Sequence, residues 1–458
     1  MRFPEAFDGS FGQVHFGGAP VEPRRRRRLV RLADQLLAHP HGTLPDKIPD
    51  PHQLDAAYRL FKADEVSHRA VLATHVRLTH RRMAEHPGDV LLVAHDDVLL
   101  DYSGLDAGLG PIGNGNGRGF VCHNSLALTP DRQVLGLAWQ ILYCHPPRGG
   151  RRARPGPAGR LWRDAVAAVP PPPAGKRYVH LADRAGDITE LLDYADEHGL
   201  SYVVRSQHDR TCAGGGALAK LHPLARAWAP AGPPRRIDVA AQRGGPRRAA
   251  LVRVAWSAVT LQPPANGRGR ERGLPLAVWA VRVWEPEPPA RAEPIDWLLL
   301  TNVAVGTAAA AWERVGWYAG RMAVEEFHKG MKTGVGVEGL QLTTRGRLEA
   351  AVGVLSVVAV VLLAVRDAGR DEATARRPAA EWVPPRWIEV LSRWRHREAR
   401  PGWTLGEFLA ALGRLGGHQN RRSDGPPGWL TLWRGWVKLR AMLDGAALAK
   451  ADPRSGGT

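Results

Sequence analysis

Apolar residues near the start of the chain recur with the period of a helix. Leu29, Val30, Leu32, Ala33, Leu36 and Leu37 follow directly on the arginines Arg24–Arg28, and Leu54, Ala57, Tyr58, Leu60 and Phe61 repeat the pattern. Such spacing buries one face of a helix, so the chain to about residue 70 is read as helical. From Val90 the pattern changes. The apolar run from Val90 ends on Asp96 as a buried strand would, and strand patterns cover 120–127 and 134–143, joined by the turn-prone Thr129-Pro-Asp-Arg132. A fourth strand is expected over 178–183 and a fifth over 201–205, with a helix through Leu191, Leu192 and Ala195 between them.

The remaining segments are less regular. Residues 146–173 are rich in Pro, Gly and Arg and are read as a surface excursion around a short stretch at 161–169. Strand-like pieces such as 249–254 and 276–283, separated by Gly/Pro/Arg-rich turns, read as a β insertion over about 207–295. A helix is expected over 308–332 and a second, wholly apolar one over 350–365. The last section is helical and Trp-rich, with Leu432, Trp436, Leu439 and Leu443 spaced to form either a core or an interface. Three antiparallel-type strands followed by strand–helix–strand is the order of a ribonuclease H-like core. The predicted fold is α/β, a ribonuclease H-like catalytic core with a β insertion, flanked by helical N- and C-terminal domains. Its boundaries are placed at 1–70, 71–368 and 369–458.

Composition adds a partner. The 458 residues hold 63 Lys+Arg against 45 Asp+Glu, a formal charge of +18, and 44% are hydrophobic. That hydrophobic share supports a sizeable core, and the charge points to a polyanion, because neutralised phosphates release counterions. Cys122, Cys144 and Cys212 have no zinc-ligand or redox spacing, and with no secretory signal at the N-terminus they read as reduced cytoplasmic thiols. The uncharged run from Ala350 to Val365 is shorter than the roughly 18–20 residues that cross a bilayer. It is expected in the core, with no membrane partner.

Chemistry concentrates around Glu325. At about 100° per residue, Tyr318, Arg321, Glu325, Lys329 and Lys332 fall within a stripe of about 80° on one helix. A solvated helix face mixes charges in this way, yet the same set suits a phosphodiester beside a metal ion, with cations and tyrosine on the backbone and the carboxylate on the metal. Asp96 and Asp183 each close an apolar strand. Their hard oxygens suit Mg²⁺, and two such ions activate an attacking oxygen and stabilise a leaving one. A lone Asp at a strand end is usually a cap; three acids in this order, the last on a basic helix, carry more information.

The spacing Tyr318-x-x-Arg321-x-x-x-Glu325-x-x-x-x-x-x-Lys332 matches the Y-R-E-K signature of DDE transposases of the insertion-sequence-four type. Glu325-Glu-Phe-His-Lys-Gly-Met-Lys332, Asp183-Arg-Ala-Gly-Asp187, Val203-Val-Arg-Ser206 and Trp297-Leu-Leu-Leu-Thr301 resemble that family. So do Ala57-Tyr-Arg59, Leu415-Gly-Gly417 and Leu432-Trp-Arg-Gly-Trp436, so the likeness runs through nearly the whole chain. It implies that Asp96, Asp183 and Glu325 bind two Mg²⁺ ions, for which Mn²⁺ substitutes. It further implies that Tyr318, Arg321 and Lys332 grip the transposon-end backbone, with Lys329 and Arg205 nearby, and that Trp297 stacks on a flipped nucleotide. Arg59 and the run containing Arg26, Arg27 and Arg28 are the remaining DNA contacts expected. Asp97 and Val98 stand where the family commonly has hydroxyl residues, leaving Asp97 as a second candidate. Asp96 is preferred because Asp96, Leu100 and Tyr102 meet the Asp-x-x-x-Leu-x-Tyr pattern and because neighbouring strand residues face opposite ways.

The expected function is a cut-and-paste transposase in the bacterial cytoplasm. It would bind double-stranded transposon ends and target DNA, cleave through a hairpin intermediate and act as a homodimer. The rivals are a catalytically idle DNA-binding descendant and a structure-selective nuclease on the same core.

Overall fold

The computed structural model describes residues 11–113, 116–146, 157–214, 217–239, 248–263, 273–290, 292–421 and 424–451. The chain is mixed α/β, with helices at both ends and one large mixed sheet. Its strands are β1 (Val90–Asp101), β2 (Gly119–Leu128), β3 (Val134–Tyr143), β4 (Arg177–Ala182), β5 (Ser201–Arg205), β6 (Thr211–Gly214), β7 (Ala217–Lys220), β8 (Arg235–Val239), β9 (Arg248–Leu261), β10 (Leu276–Trp284) and β11 (Asp296–Thr301). Across the sheet they run β3-β2-β1-β4-β5-β11-β10-β9-β6-β7, with β8 paired to β9. β1 is antiparallel to β2, β2 to β3 and β11 to β5, whereas β4 lies parallel to both β1 and β5.

The N-terminal helices match their apolar spacing. In Pro23–Ala38, Leu29, Leu32, Ala33, Leu36 and Leu37 are buried, and Glu22 caps the free amides of Arg24 and Arg25. The helix Pro51–Phe61 follows, capped by Asp50, with Ala57, Leu60 and Phe61 buried and Tyr58 exposed. The helix His68–Glu85 was not anticipated: its apolar residues are interleaved with His and Arg, two of which, His75 and Arg82, are themselves buried.

Helix Arg345–Ala368 is the one described helix long and apolar enough to cross a membrane. In its most apolar window 94% of the residues are buried inside the protein, as expected of a core helix. Ser356, at its middle, is fully buried and donates to the Val352 carbonyl at 2.7 Å.

Three expectations need correction. β1 does not end at Asp96 but pairs with β2 as far as Asp101, so Asp96 lies mid-strand. The segment 161–169 is no surface excursion: Leu161, Trp162, Ala165 and Val166 on helix Pro157–Ala167 are buried, while 147–156 lie outside the described residues. The expected β insertion lies within the same sheet and extends it beyond β11. The expected helix 308–332 is three pieces, Ala308–Gly320, Met322–Lys329 and a π turn Gly330–Gly334.

The C-terminal alternatives resolve in favour of core. Leu432, Trp436, Leu439 and Leu443 on Trp429–Ala451 are all buried within the cluster that also contains Leu29, Leu92 and Phe327. Trp436 meets Trp387 edge-on at 4.8 Å.

Candidate functional site

Asp96, Arg321 and Glu325 form one ion-paired unit. Nη1 of Arg321 donates to Oδ2 of Asp96 at 3.0 Å, and Nη2 donates to Oε1 of Glu325 at 2.5 Å. The guanidinium and the Asp96 carboxyl are 10% and 16% exposed, against 35% for Glu325, so the bond to Asp96 is largely shielded from water and the bond to Glu325 less so. The helix break makes this possible. At Arg321 the bonding switches to three-residue steps, Arg321 N to Tyr318 O and Val324 N to Arg321 O, both 3.0 Å. The side chain thereby turns toward β1 while staying one helical turn from Glu325.

Asp183 follows β4 and caps the short turn Arg184–Gly186, accepting from Ala185 N at 2.8 Å. It lies close enough for its charge to act on both Asp96 and Arg321. Burial, opposed by Arg321 and reinforced by Asp183 and Glu325, pushes the Asp96 carboxyl up to about 7. Burial disfavours the Arg321 charge, but Tyr318 and the three acids outweigh it and hold the guanidinium more firmly protonated than usual.

The signature tyrosine is buried in the same place. The Tyr318 and Trp297 rings meet edge-on with centroids 5.3 Å apart, and Trp297 is half-buried on β11. Arg205, at the end of β5, donates to the Asp296 carbonyl at 3.3 Å and interacts with Tyr318; burial lowers its pKa. Tyr318, Trp297 and Arg205 therefore adjoin the acids. The two lysines differ. Lys329 is exposed, while Lys332 donates to the Leu99 carbonyl and pairs with Glu338, each at 3.0 Å. The π turn, closed by Val335 N to Gly330 O at 2.8 Å, shifts Lys332 off the simple helical stripe. Space is tight there, since a Cβ on Gly330 would stand 3.1 Å from the Trp429 ring.

Asp97 faces the other side of the sheet, where its Oδ1 is 2.7 Å from Nδ1 of the buried His123. The N-terminal cations also divide. Arg26 spends its donors on the Ala19 and Val21 carbonyls at 2.9 and 3.0 Å, which staples the preceding loop. Arg25 pairs with Glu65 at 2.7 Å and Arg59 with Asp55. Arg24 and Arg27 are exposed and Arg28 is half-buried.

Among the described residues, no group of three His, Cys, Asp or Glu side chains is gathered closely enough to hold a metal ion as placed. The positive charge shared by Asp96 and Glu325 is the Arg321 guanidinium. The donors still fit a hard divalent cation: they are carboxylate oxygens, two of them already converge on one cation, and a third negative charge is nearby.

Several residues at the site were not singled out from the sequence. Asp187 is fully buried and accepts from Gln207 N at 2.6 Å and His208 N at 2.9 Å, fixing the chain beyond β5. Glu326 pairs at 2.5 Å with Arg366, at the end of the long apolar helix. Asn124, Gln140 and His328 form a buried polar cluster behind Asp96. For two of them a signal was available, the polar run His123-Asn124-Ser125 and the lone Gln140 inside otherwise apolar strands.

Residues 6–66 match the model of a family described as transposase DNA-binding. The match supports a DNA-binding transposase with DNA as its partner.

Proposed function

We propose that the chain is a cut-and-paste transposase of the DDE, insertion-sequence-four type, with Asp96, Asp183 and Glu325 as its metal-holding acids. The observation that carries this reading is Arg321 bridging Asp96 and Glu325 beside Tyr318, Trp297 and Arg205. Asp96, Arg205, Trp297 and the segment Tyr318–Glu325 lie far apart in sequence and meet at one place beside the sheet. The order β3-β2-β1-β4-β5, with β4 parallel to its neighbours, supports a ribonuclease H-like core.

Mg²⁺ held by the three acids would supply activation of the attacking oxygen and stabilisation of the leaving oxygen. The chain's own residues supply the rest. Tyr318, Arg321, Lys329, Lys332 and Arg205 hold phosphates of the transposon end, and Arg321 exchanges its carboxylates for a phosphate when DNA arrives. Trp297 offers an aromatic face to a base displaced during hairpin formation. The N-terminal segment reads the terminal repeat, and two copies of the chain pair the two ends.

The test uses duplexes carrying the repeats that flank the gene. Asp96→Ala, Asp183→Ala and Glu325→Ala should each abolish Mg²⁺-dependent strand cleavage while end binding, which phosphate contacts dominate, persists. Vigorous cleavage by Asp96→Ala refutes the assignment. Cleavage of branched DNA without a terminal repeat would instead indicate a structure-selective nuclease.

A further inference from the structure

Asn124 on β2 is the register partner of Asp96 on β1. Directly opposed residues of adjacent strands project to the same face, so the amide stands beside the acid. Asn124 is fully buried, and its polar atoms must find partners inside the protein. Nδ2 lies 3.0 Å from Nε2 of His328 and 3.3 Å from the Cys122 carbonyl, while Oδ1 accepts from Gln140 Nε2 at 2.6 Å. A carbonyl only accepts, so the Cys122 contact fixes Nδ2 as the end of the amide facing His328. Burial holds the His328 ring down at about 3, leaving it neutral with Nε2 as acceptor.

His328 belongs to Met322–Lys329 and follows Glu325 by three residues, on the same flank of the helix. The Asn124–His328 bond therefore joins the strand pair bearing one acid to the helix bearing another. It does not float. Gln140 Nε2 also donates to Ser356 Oγ at 3.0 Å, and Gln140 Oε1 lies 3.0 Å from His68 Nε2. Burial keeps His68 neutral as well, so its Nε2–H donates to Gln140. His68 opens the helix His68–Glu85, immediately beyond the matched segment 6–66.

We propose that Asn124 and His328 are positioning residues for the Asp96–Glu325 pair, a clamp that fixes the separation of the two acids and is anchored through Gln140 to His68. The proposal rests on the reading of Asp96 and Glu325 as metal-holding acids. The clamp touches neither DNA nor the acids' oxygens; it sets where those oxygens stand. Partners of this kind, one shell behind a metal ligand, typically change affinity or rate by about 10–100-fold when removed, and a misplacement of about 1 Å in a reacting group costs about 100-fold.

The test uses the full chain with His328→Leu, Asn124→Leu, the double variant and His328→Gln. First-strand cleavage rate, end affinity, melting temperature and binding of Mn²⁺ alone are measured for each. The single leucine variants should lose about 10–100-fold in cleavage rate and bind Mn²⁺ about tenfold more weakly, with end affinity within about twofold. The double variant should melt higher than Asn124→Leu, because the unpaired His328 acceptor is gone, while the Gln140 donor that Asn124 accepted stays unpaired in both. It should not recover cleavage. His328→Gln, which restores an acceptor, should recover much of it.

Cleavage returning with melting temperature in the double variant overturns the clamp, as do single variants that cut and bind Mn²⁺ normally. If the unsubstituted chain neither cuts nor binds Mn²⁺, the functional reading fails, and hydrogen exchange of residues 322–334 then tests the clamp alone. Faster exchange there in His328→Leu supports it and unchanged exchange overturns it.

Discussion

Asp96→Asn should stabilise the metal-free protein at pH 8 while destroying its activity. Burial and the charges of Asp183 and Glu325 overcome Arg321 and raise the Asp96 carboxyl from 3.8 to about 7. At 1.36 kcal/mol per tenfold change, keeping this group ionised in the folded state costs about 4 kcal/mol at full effect. Residual water at a carboxyl still 16% exposed brings the expected gain to about 2–4 kcal/mol. The sign follows from proton counting. Below pH 3.8 the carboxyl is protonated in both states and the term vanishes. Between pH 4 and 7 the unfolded chain releases its proton first, so wild-type stability falls as pH rises, and it levels off above 7. The buried histidines His68, His180 and His328, lowered to about 4, 4 and 3, pull the other way, but both proteins share them and the difference cancels. Urea unfolding in chelator at pH 5, 6.5 and 8 measures the effect. The advantage of the variant should be roughly a third of its full size at pH 5 and grow to pH 8, and added Mg²⁺ should narrow it by stabilising wild type alone. A variant destabilised equally at pH 5 and pH 8 would show that Arg321 keeps Asp96 an ordinary ionised carboxylate, and the reasoning would fail.

Replacing Arg24 and Arg27 with Ala should flatten the plot of log end affinity against log salt by about 0.9 for each phosphate no longer neutralised. Arg26→Ala should instead lower the melting temperature through the Ala19 and Val21 carbonyls it holds; an equal slope change for Arg26 would contradict that division. Trp297→Ala should spare most first-strand nicking but lower hairpin formation about 5–150-fold, the loss of about 1–3 kcal/mol of base stacking. Equal loss of both products on a denaturing gel would make Trp297 a support for Tyr318 instead. Trp436→Ala should destabilise the folded monomer by about 3–5 kcal/mol at any protein concentration, whereas a concentration-dependent loss would return that face to a dimer contact.

Legibility followed the number of constraints acting on each residue. β5 falls at Ser201–Arg205 as the apolar pattern predicts, because a short apolar strand bounded by Gly199 and polar turns has few alternatives. The alternation expected of neighbouring strand residues is present, with Asp97 directed to His123 and Asp96 to Arg321. Periodicity failed where bonding departs from the regular helix. The tightened turn at Arg321 and the π turn at 330–334 depend on contacts with β1 and with Trp429, both remote in sequence. The helix His68–Glu85 escaped because burial of His75, Thr79 and Arg82 erased its polar face. Arg26 illustrates a different limit: a cation run looks uniform in sequence, while a single pair of nearby carbonyls sets one member apart.

β5 and β11 pair as the two arms of a hairpin whose turn has been opened. Ser206 N donates to the Leu298 carbonyl at 2.7 Å, and the chain between those residues travels outward through β6 to β10 before returning to the same neck. Growth of a loop between fixed ends adds closure entropy only logarithmically, so length can vary there at small cost. β10 is held by its pairing with β11 and β9 by its pairing with β10, so tolerance for a change of length lies farther out, toward β6, β7 and β8. Arg205 and Trp297 at the neck stand beside Tyr318, and β10, with Val283 opposite Trp297, shields them from what the outermost strands carry.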